Sequence, residues 1–253
     1  MNSGYLLRVD MDLVIDIGNT LQKAAVFTEN GHMVALFQTR QLTLPFLEEL
    51  FGQYPIQMSI LSSVGEEDAV VCSWLGRHTQ MIRFTPQCRI PLTMRYATPE
   101  TLGTDRIANA VGASELYPFC NVLSLMAGTC LVADFVTAEG EYLGGSISPG
   151  MRMRFRALPQ FTAHLPQVEP EMIDFLVGDT TKRSILSGVI HGIAHEIEGL
   201  IAHYETRYAP LKVVFSGGDA EFLQNFIKKR IFAAQNPILL GLHKILKLNA
   251  SEN

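Results

Sequence analysis

The sequence lacks the cysteine and charge patterns that mark several large classes of protein. Its four cysteines form no C-x-x-C pair and have no histidines at zinc-ligand spacing, so neither a disulfide framework nor a structural metal site is indicated. The formal net charge is -5, and the chain contains no block of lysine and arginine. We therefore expect a cytoplasmic setting and no nucleic-acid partner.

Long apolar runs are also scarce in the sequence. No stretch approaches the roughly 18 apolar residues that a membrane-spanning helix requires. Residues 1–10 contain neither the apolar stretch nor the small-residue cleavage site of a signal peptide, and we assign them no function. We therefore expect no membrane partner. Hydrophobic residues make up 47% of the 253 residues, which is enough to bury a sizeable core.

The sequence contains one pattern of strands and turns that occurs twice. The first copy predicts the order β-β-β-α-β over residues 12–63, with a tight turn at Gly18-Asn19-Thr20. The second copy predicts three strands over residues 122–145, with Gly128-Thr129 at the matching turn. The repetition indicates that one structural plan is used twice.

Pro118 lies between the two copies and marks the predicted boundary between two domains, residues 11–117 and 118–253. In the second domain, apolar residues at spacings of three and four predict a core helix over residues 181–204. A further helix is predicted over residues 220–229.

Asp16 ends the first predicted strand, directly before the turn that contains Gly18. Small or absent side chains in this turn leave backbone N–H groups free to face phosphate oxygens. The carboxylate would repel phosphate, so its expected role is to hold Mg²⁺ through water beside the β- and γ-phosphates of a nucleotide. The alternative is a hairpin turn in which Asn19 and Gly18 merely accept positive φ.

Two later turns are candidates for the same kind of site. Gly128-Thr129 occupies the matching position in the second copy, and two such turns facing one another would form a phosphate clamp. Gly217-Gly218-Asp219 follows a predicted strand and would let the backbone approach a nucleotide closely. A glycine turn that merely precedes a helix is the alternative for this third turn.

An acid and a guanidinium lie together in residues 96–106, after Gly103 and at a predicted helix start. Arg106 offers a planar fork suited to a substrate carboxylate, and Asp105 can accept a proton from a hydroxyl that attacks phosphorus. The alternative is that Asp105 caps the helix while Arg106 forms a surface ion pair.

Two histidines and an acid on the predicted core helix invite comparison with a metal site. His191 and His195 lie one helical turn apart, and Glu198 follows them. All three fall opposite the apolar stripe of the helix. The pattern therefore favours a solvated or interface face over a metal site.

Three ordered motifs make the chain resemble the type III pantothenate kinases, from near Asp12 to near the C-terminus. They are DIGNT at 16–20, YATPETLGTDR at 96–106, and GGSISPG at 144–150 followed by TAHLP at 162–166. These kinases belong to the superfamily of acetate and sugar kinases, heat-shock proteins and actin. The resemblance implies an α/β fold of two ribonuclease-H-like halves, the actin-like duplicated fold, with a cleft between them.

The resemblance also implies an activity, a homodimer and a set of site residues. The implied activity is ATP-dependent phosphorylation of pantothenate to 4′-phosphopantothenate, the first step of coenzyme A biosynthesis, with Mg²⁺ accompanying ATP and Asp105 as the general base. The implied ATP-binding residues are Asp16, Ile17, Gly18, Asn19, Thr20, Leu21, Gln22, Lys23 and Thr129. The implied pantothenate-binding residues are Tyr96, Gly103, Thr104, Asp105, Arg106 and Thr181.

Met126 departs from the family pattern, which usually places an aspartate that binds a monovalent cation two residues before the glycine of the second turn. A thioether cannot replace a hard oxygen ligand for K⁺ or NH₄⁺. Either the cation site is absent, or it is built from backbone oxygens and other groups, or activity is weakened or lost. A kinase of another small hydroxy acid or sugar and a non-catalytic regulator are the alternative functions.

Overall fold

The structure is a computed structural model that describes residues 10–18, 21–65, 68–229, 231–233 and 236–250. The chain divides into two compact units. Unit 1 comprises Met1–Thr93, Ala97–Glu115 and Pro237–Asn253, and unit 2 comprises Met94–Tyr96 and Leu116–Asn236.

The described residues form strands and helices in both units. In chain order, the strands are β1 (Met11–Ile17), β2 (Gln22–Thr28), β3 (Met33–Thr39), β4 (Ile56–Ser63), β5 (Gln80–Arg83), β6 (Thr93–Met94), β7 (Asn121–Ala127), β8 (Cys130–Val136), β9 (Glu141–Pro149), β10 (Leu211–Ser216) and β11 (Phe232–Ala233). The α-helices are α1 (Leu44–Gln53), α2 (Ala69–His78), α3 (Thr104–Leu116), α4 (Met151–Phe161), α5 (Thr181–Tyr208), α6 (Ala220–Leu223) and α7 (Pro237–Ala250). Short 3-10 helices cover Pro99–Thr101 and Gln224–Phe226.

Unit 1 is built on a sheet with the strand order β3-β2-β1-β4-β5. β1 is antiparallel to β2 and parallel to β4. Leu13 and Ile15 on one face of β1 belong to a core cluster with residues of α1 and α2. Because side chains alternate along a strand, Asp12, Val14 and Asp16 face the opposite side of this sheet.

Helix α7 packs against β1 and β4 in unit 1. The buried Asp12 carboxylate lies 2.8 Å from His243 Nε2 and 3.1 Å from Lys247 Nζ. The His243 ring stacks on Phe27 at a centroid distance of 4.6 Å. Unit 1 therefore includes this last helix and differs from the predicted domain 11–117, whereas its break after Glu115 lies close to the predicted boundary.

Unit 2 repeats the strand arrangement of unit 1. Its sheet has the order β11-β10-β7-β8-β9-β6. β7 is antiparallel to β8, β8 is antiparallel to β9, and both β10 and β11 run parallel to their neighbours. The series β9-β8-β7-β10-β11 thus matches β3-β2-β1-β4-β5 in order and direction. The predicted α/β class and the predicted duplication are confirmed.

The long helix α5 supplies much of the core of unit 2. Ile190, Ile193 and Ile197 on this helix are fully buried in one cluster with the interior of the sheet. Helix α5 is long and apolar enough to cross a membrane by length and composition alone. Half of its most apolar 18-residue stretch is buried inside the structure, as in the core helix of a soluble protein. The predicted start at Thr181 is confirmed, and the helix continues to Tyr208.

The prediction of one helix over residues 220–229 is correct at its start and wrong after Leu223. α6 ends at Leu223, and a 3-10 turn follows to Phe226. Asn225 Nδ2 donates to the carbonyls of Glu221 and Phe222, at 2.9 and 3.0 Å, and so competes with helical backbone bonding. The N–H of Lys228 donates to Glu198 at 2.6 Å instead of to a helix carbonyl.

Candidate active site

The first predicted phosphate turn begins where β1 ends in unit 1. Gly18 N–H donates to the Leu21 carbonyl at 3.2 Å, and a Cβ at Gly18 would stand 3.0 Å from the same oxygen. The tight turn therefore favours glycine at this position. Asn19 and Thr20, which we predicted to bind ATP, lie outside the described residues.

Asp16 lies in the middle of this end of the sheet. It stands opposite Lys23 on β2 and Ser62 on β4. Only 7% of Asp16 is exposed, and burial raises the pKa of its carboxyl from 3.8 to about 6. Lys23 lowers this pKa and Asp105 raises it, both by smaller amounts than burial does. A buried carboxylate that lacks full compensation is a suitable partner for a hydrated divalent cation.

The segment that carries Asp105 reaches the same end of the sheet within unit 1. Ser62 Oγ donates to Thr104 Oγ1 at 3.1 Å and so joins the end of β4 to the start of α3. Ser62 also stands opposite Asp16 in the sheet, and Thr104 directly precedes Asp105, so the segment of Asp105 lies beside the end of β1. The structure therefore brings together Asp16 and Asp105, which the sequence separates by almost ninety positions.

Gly103 and Asp105 fit each other closely. A Cβ at Gly103 would stand 2.5 Å from Asp105 Oδ1, so a larger residue would displace this carboxylate. The same oxygen accepts the N–H of Arg106 at 2.9 Å, and the alternative that Asp105 bonds the helix start is therefore correct in part. The alternative of a surface ion pair for Arg106 is wrong, because only 8% of Arg106 is exposed.

The residues after the first turn differ in what they offer to a ligand. Leu21 is 41% exposed, whereas Ile17 is buried in the core. The side chain of Gln22 accepts the N–H of Leu42 at 2.7 Å, so it fixes the chain that leads to α1. Lys23 is half-buried and acts electrostatically on Asp16.

The second predicted phosphate turn, at Gly128-Thr129, follows Ala127 and joins β7 to β8 in unit 2. Gly128 N–H donates to the Cys130 carbonyl at 3.0 Å. The Ala127 carbonyl accepts the N–H of Asp219 at 3.1 Å, and the Thr129 carbonyl accepts the N–H of Gly150 at 3.1 Å. The Thr129 residue is exposed. This turn is thus held by its neighbours on both sides while its tip faces outward.

Two glycines make this bracing sterically possible. Gly217 has φ +104°, and a Cβ there would stand 2.1 Å from the Ala127 carbonyl oxygen. A Cβ at Gly150 would stand 2.1 Å from the Gly128 carbonyl oxygen. Gly150 is the last residue of the GGSISPG motif. The close contact with the second turn explains why this position of the motif is a glycine.

Asp219 is a buried site carboxylate whose side chain was not singled out by sequence reasoning. It is 7% exposed, and burial raises its pKa while the nearby Arg152 guanidinium lowers it. Arg152 Nε lies 3.5 Å from Asp219 Oδ1. The sequence Gly217-Gly218-Asp219 predicts a glycine turn at this position, but a glycine turn alone does not indicate that the acid after it is buried.

Tyr96 belongs to unit 2, whereas Gly103, Thr104, Asp105 and Arg106 belong to unit 1. The Tyr96 ring packs on the backbone of β9, where a Cβ at Gly144 would stand 2.9 Å from Tyr96 Cδ2. The preceding Arg95 forms an ion pair with Glu141 at 2.6 Å. Gly144, which opens the GGSISPG motif, therefore makes room for Tyr96.

Thr181 and Met126 both lie in unit 2. Thr181 is exposed at the start of α5, directly after Thr180, whose hydroxyl accepts the N–H of Arg183 at 3.2 Å. Met126 is half-buried on β7, opposite Val132 and Ser216.

The histidines of α5 have structural partners. His191 Nε2 lies 3.1 Å from the Phe175 carbonyl, and the rings of His191 and His195 stack at 6.2 Å. Glu198 accepts the backbone N–H of Lys228. Among the residues that the structure describes, no group of three or more His, Cys, Asp or Glu residues is arranged to hold a metal ion.

The chain is similar to proteins of known family and to solved structures. The Baf family transcriptional activator from Campylobacter jejuni has 23% sequence identity and a TM-score of 0.56, covering 94% of this chain and 98% of that one. A ROK family glucokinase from Streptomyces griseus, solved with glucose and AMPPNP, has 13% identity and a TM-score of 0.51, covering 95% and 99%. These likenesses show the actin-like fold.

The sequence comparison is more specific. A type III pantothenate kinase from Christiangramia forsetii is 42% identical over 243 residues, which cover 96% of this chain and 100% of that protein. The profile of the type III pantothenate kinase family matches residues 12–203. The match spans both predicted phosphate turns and the segment of Asp105, and the chain therefore belongs to the type III pantothenate kinase family.

Proposed function

We propose that this pantothenate kinase transfers the γ-phosphate of ATP to the primary hydroxyl of pantothenate, with Asp105 as the general base and Asp16 holding Mg²⁺ through water. The observation that carries these assignments is that Ser62, which stands opposite Asp16, contacts Thr104 directly before Asp105 at one end of the sheet in unit 1. Their roles differ because their surroundings differ. Asp16 is buried, whereas Asp105 is half-buried and accessible to a substrate.

Asp16 fits a metal-holding role. Its pKa of about 6 shows that burial disfavours the charged carboxylate by more than Lys23 favours it. Asp16 would hold, through water, the Mg²⁺ that accompanies ATP, and the ion would supply positive charge that stabilises phosphoryl transfer. Lys23, on the neighbouring strand, is placed to add a second positive charge to the same end of the sheet.

Asp105 fits the role of base because the start of α3 holds its carboxylate in place. One oxygen accepts the Arg106 N–H, and Gly103 leaves the space that this oxygen occupies. A carboxylate fixed in this way can orient the attacking hydroxyl and accept its proton. Arg106 is the buried cation that we assign to the carboxylate of pantothenate, together with Gly103, Thr104, Tyr96 and Thr181 as further contacts.

The second turn fits phosphate binding through its backbone. The exposed tip at Gly128-Thr129 is braced through the carbonyls of Ala127 and Thr129, which fixes the turn without using its outward side. A turn that is fixed in advance can stabilise phosphate charge without reorganisation during the reaction. We assign Thr129 to ATP, together with Ile17, Gly18, Asn19, Thr20, Leu21, Gln22 and Lys23 of the first turn.

An assay of ADP release from Mg·ATP and pantothenate tests the assignment of the base. Asp105→Asn keeps the size of the side chain and removes the proton acceptor. We expect kcat to fall by about 10² to 10⁴, the usual contribution of a general base, with the fold unchanged by circular dichroism. The control is Asp174→Asn, which changes an exposed acid in unit 2. Equal kcat for Asp105→Asn and the parent protein would contradict the role of Asp105.

We expect a homodimer in the cytoplasm, and the exposed apolar side chains of unit 2 support the dimer. Large apolar side chains of this unit are unusually exposed: Ile147 by 60%, Phe161 by 79%, Met172 by 59%, Leu176 by 68% and Val177 by 81%. Large exposed apolar side chains are candidates for an interface between subunits. We expect Leu176→Glu to shift the mass in light scattering from dimer to monomer, and Val70→Glu in unit 1, where Val70 is 59% exposed, to leave it unchanged. A monomeric parent protein would refute the dimer.

A further inference from the structure

A cluster of polar side chains surrounds the end of β9 and the start of α4 in unit 2. Arg154 Nε donates to the Pro149 carbonyl at 2.8 Å, and its Nη2 pairs with Glu196 Oε2 of α5. Ser148 Oγ donates to the other oxygen of the same carboxylate at 2.6 Å. Glu196 thus receives two donors from the segments on either side of Gly150.

This cluster is better defined than an ordinary surface ion pair. The side chains of Arg154 and Glu196 are only 22% and 32% exposed. Arg154 Nη2 also lies 3.4 Å from Ser148 Oγ, so the guanidinium, the hydroxyl and the carboxylate form a closed network. Charge-assisted networks of this kind fix geometry more firmly than isolated exposed pairs.

The network is coupled to the second phosphate turn by direct backbone contact. Gly150 follows Pro149 and donates its N–H to the Thr129 carbonyl at 3.1 Å. A Cβ on Gly150 would stand 2.1 Å from the Gly128 carbonyl oxygen and 2.5 Å from that of Thr129. With no side chain between the two backbones, a shift at the end of β9 must shift the turn as well.

We infer that Arg154 and Glu196 are positioning residues that hold the second phosphate turn in its nucleotide-binding geometry. The inference rests on the proposed function of the Gly128-Thr129 turn in binding ATP. Neither side chain needs to touch the nucleotide. They act by tying the end of β9 to the rigid helix α5, which is anchored by the fully buried Ile193 and Ile197 on either side of Glu196.

Because apolar contacts hold α5 in place, a positioning role of Arg154 and Glu196 can be distinguished from a merely structural role. Loss of the network should leave α5 in its core, so the thermal stability of the protein should change little. Only the geometry of the turn should change. The expected signature is a rise in KM for ATP without a matching rise in KM for pantothenate.

The test compares Glu196→Gln with Glu205→Gln on the same helix. Glu205 forms an ion pair with Lys229, and it provides a matched control because it has no described contact with the turn. We expect Glu196→Gln to raise KM for ATP roughly tenfold, since a hydrogen bond to a charged group is weakened, and Glu205→Gln to change it less than about twofold. Arg154→Gln should behave like Glu196→Gln, and the double variant should be no worse than either single one.

Calorimetric affinity for a non-hydrolysable ATP analogue gives a second measurement that does not need turnover. A matching loss of analogue affinity in Glu196→Gln supports the inference. Unchanged affinity and unchanged KM for ATP, in a parent enzyme that turns over pantothenate, would overturn it and leave the proposed function intact. Equal losses for both substrates, or a large fall in melting temperature, would assign the network to general stability instead. A parent protein without turnover would count against the proposed function alone.

Discussion

Replacement of Asp16 by asparagine should stabilise the ligand-free protein while abolishing its activity. The folded pKa of Asp16 is about 6 against an ordinary value of 3.8, so the folded protein holds this proton more tightly than the unfolded chain does. Folding is therefore favoured by Asp16 below the ordinary value, and this contribution is lost as pH rises through the folded pKa. At neutral pH the buried charge costs up to about 3 kcal/mol relative to an uncharged group.

The expected size of the effect sets the assay. For a protein of this length, about 3 kcal/mol corresponds to a rise in melting temperature of roughly 6–12 °C. Thermal unfolding of Asp16→Asn and the parent protein should be compared at pH 7.5 and at pH 4.5, without nucleotide. We expect the full stabilisation at the higher pH and about a third of it, about 1 kcal/mol, at pH 4.5, which still lies above the ordinary value of 3.8. Asp174→Asn, at an exposed position, should change neither measurement.

The result that would refute the reasoning is equally specific. If Asp16→Asn is less stable than the parent protein at pH 7.5, other groups of the free protein already stabilise the charged carboxylate, and no bound cation is needed to do so. A stabilisation of the same size at both pH values would exclude titration of Asp16 as its cause. Mg·ATP should raise the melting temperature of the parent protein more than that of the asparagine variant, since a neutral amide holds hydrated Mg²⁺ less well than a carboxylate.

Two further predictions concern the second turn. Gly150→Ala would force a Cβ to within 2.1 Å of the Gly128 carbonyl oxygen, so we expect a melting temperature lower by several degrees and a higher KM for ATP. The control is Gly192→Ala on α5, where a Cβ meets no atom within 4 Å and the change should be neutral or slightly stabilising. An alanine variant at Gly150 with parental melting temperature and kinetics would refute the close contact. Because Met126 offers no hard oxygen ligand, we expect similar turnover in Na⁺, K⁺ and NH₄⁺ buffers, with activation of Met126→Asp by K⁺. Strong activation of the parent enzyme by K⁺ would show that other groups form a cation site.

The repeated strand plan was accessible from the sequence because its signals are local. Apolar strands that end in small residues, such as β1 before Gly18 and β7 before Gly128, can be identified without knowing what lies beside them. The start of α5 at Thr181 was equally accessible, since apolar spacing and the N-cap Thr180 lie within a few positions.

The features that sequence reasoning missed depend on contacts between distant segments. The burial of Arg106 follows from the packing of α3 in the fold, and the sequence around Arg106 is equally compatible with a surface helix. Asp219 is buried because β10 lies beside β7, which brings the Asp219 N–H to the Ala127 carbonyl. The early end of α6 depends on Asn225, whose side chain bonds the helix carbonyls that a longer helix would have used for its backbone.

The return of α7 to β1 has a consequence for the order in which the protein can fold during synthesis. Asp12 finds its partners His243 and Lys247 more than two hundred positions later, after all of unit 2 has been made. Until then the face of the first sheet that α7 covers remains exposed, including the carboxylate of Asp12. The first unit to be translated is therefore the last to be completed, and unit 2 can fold while unit 1 still waits for its final helix.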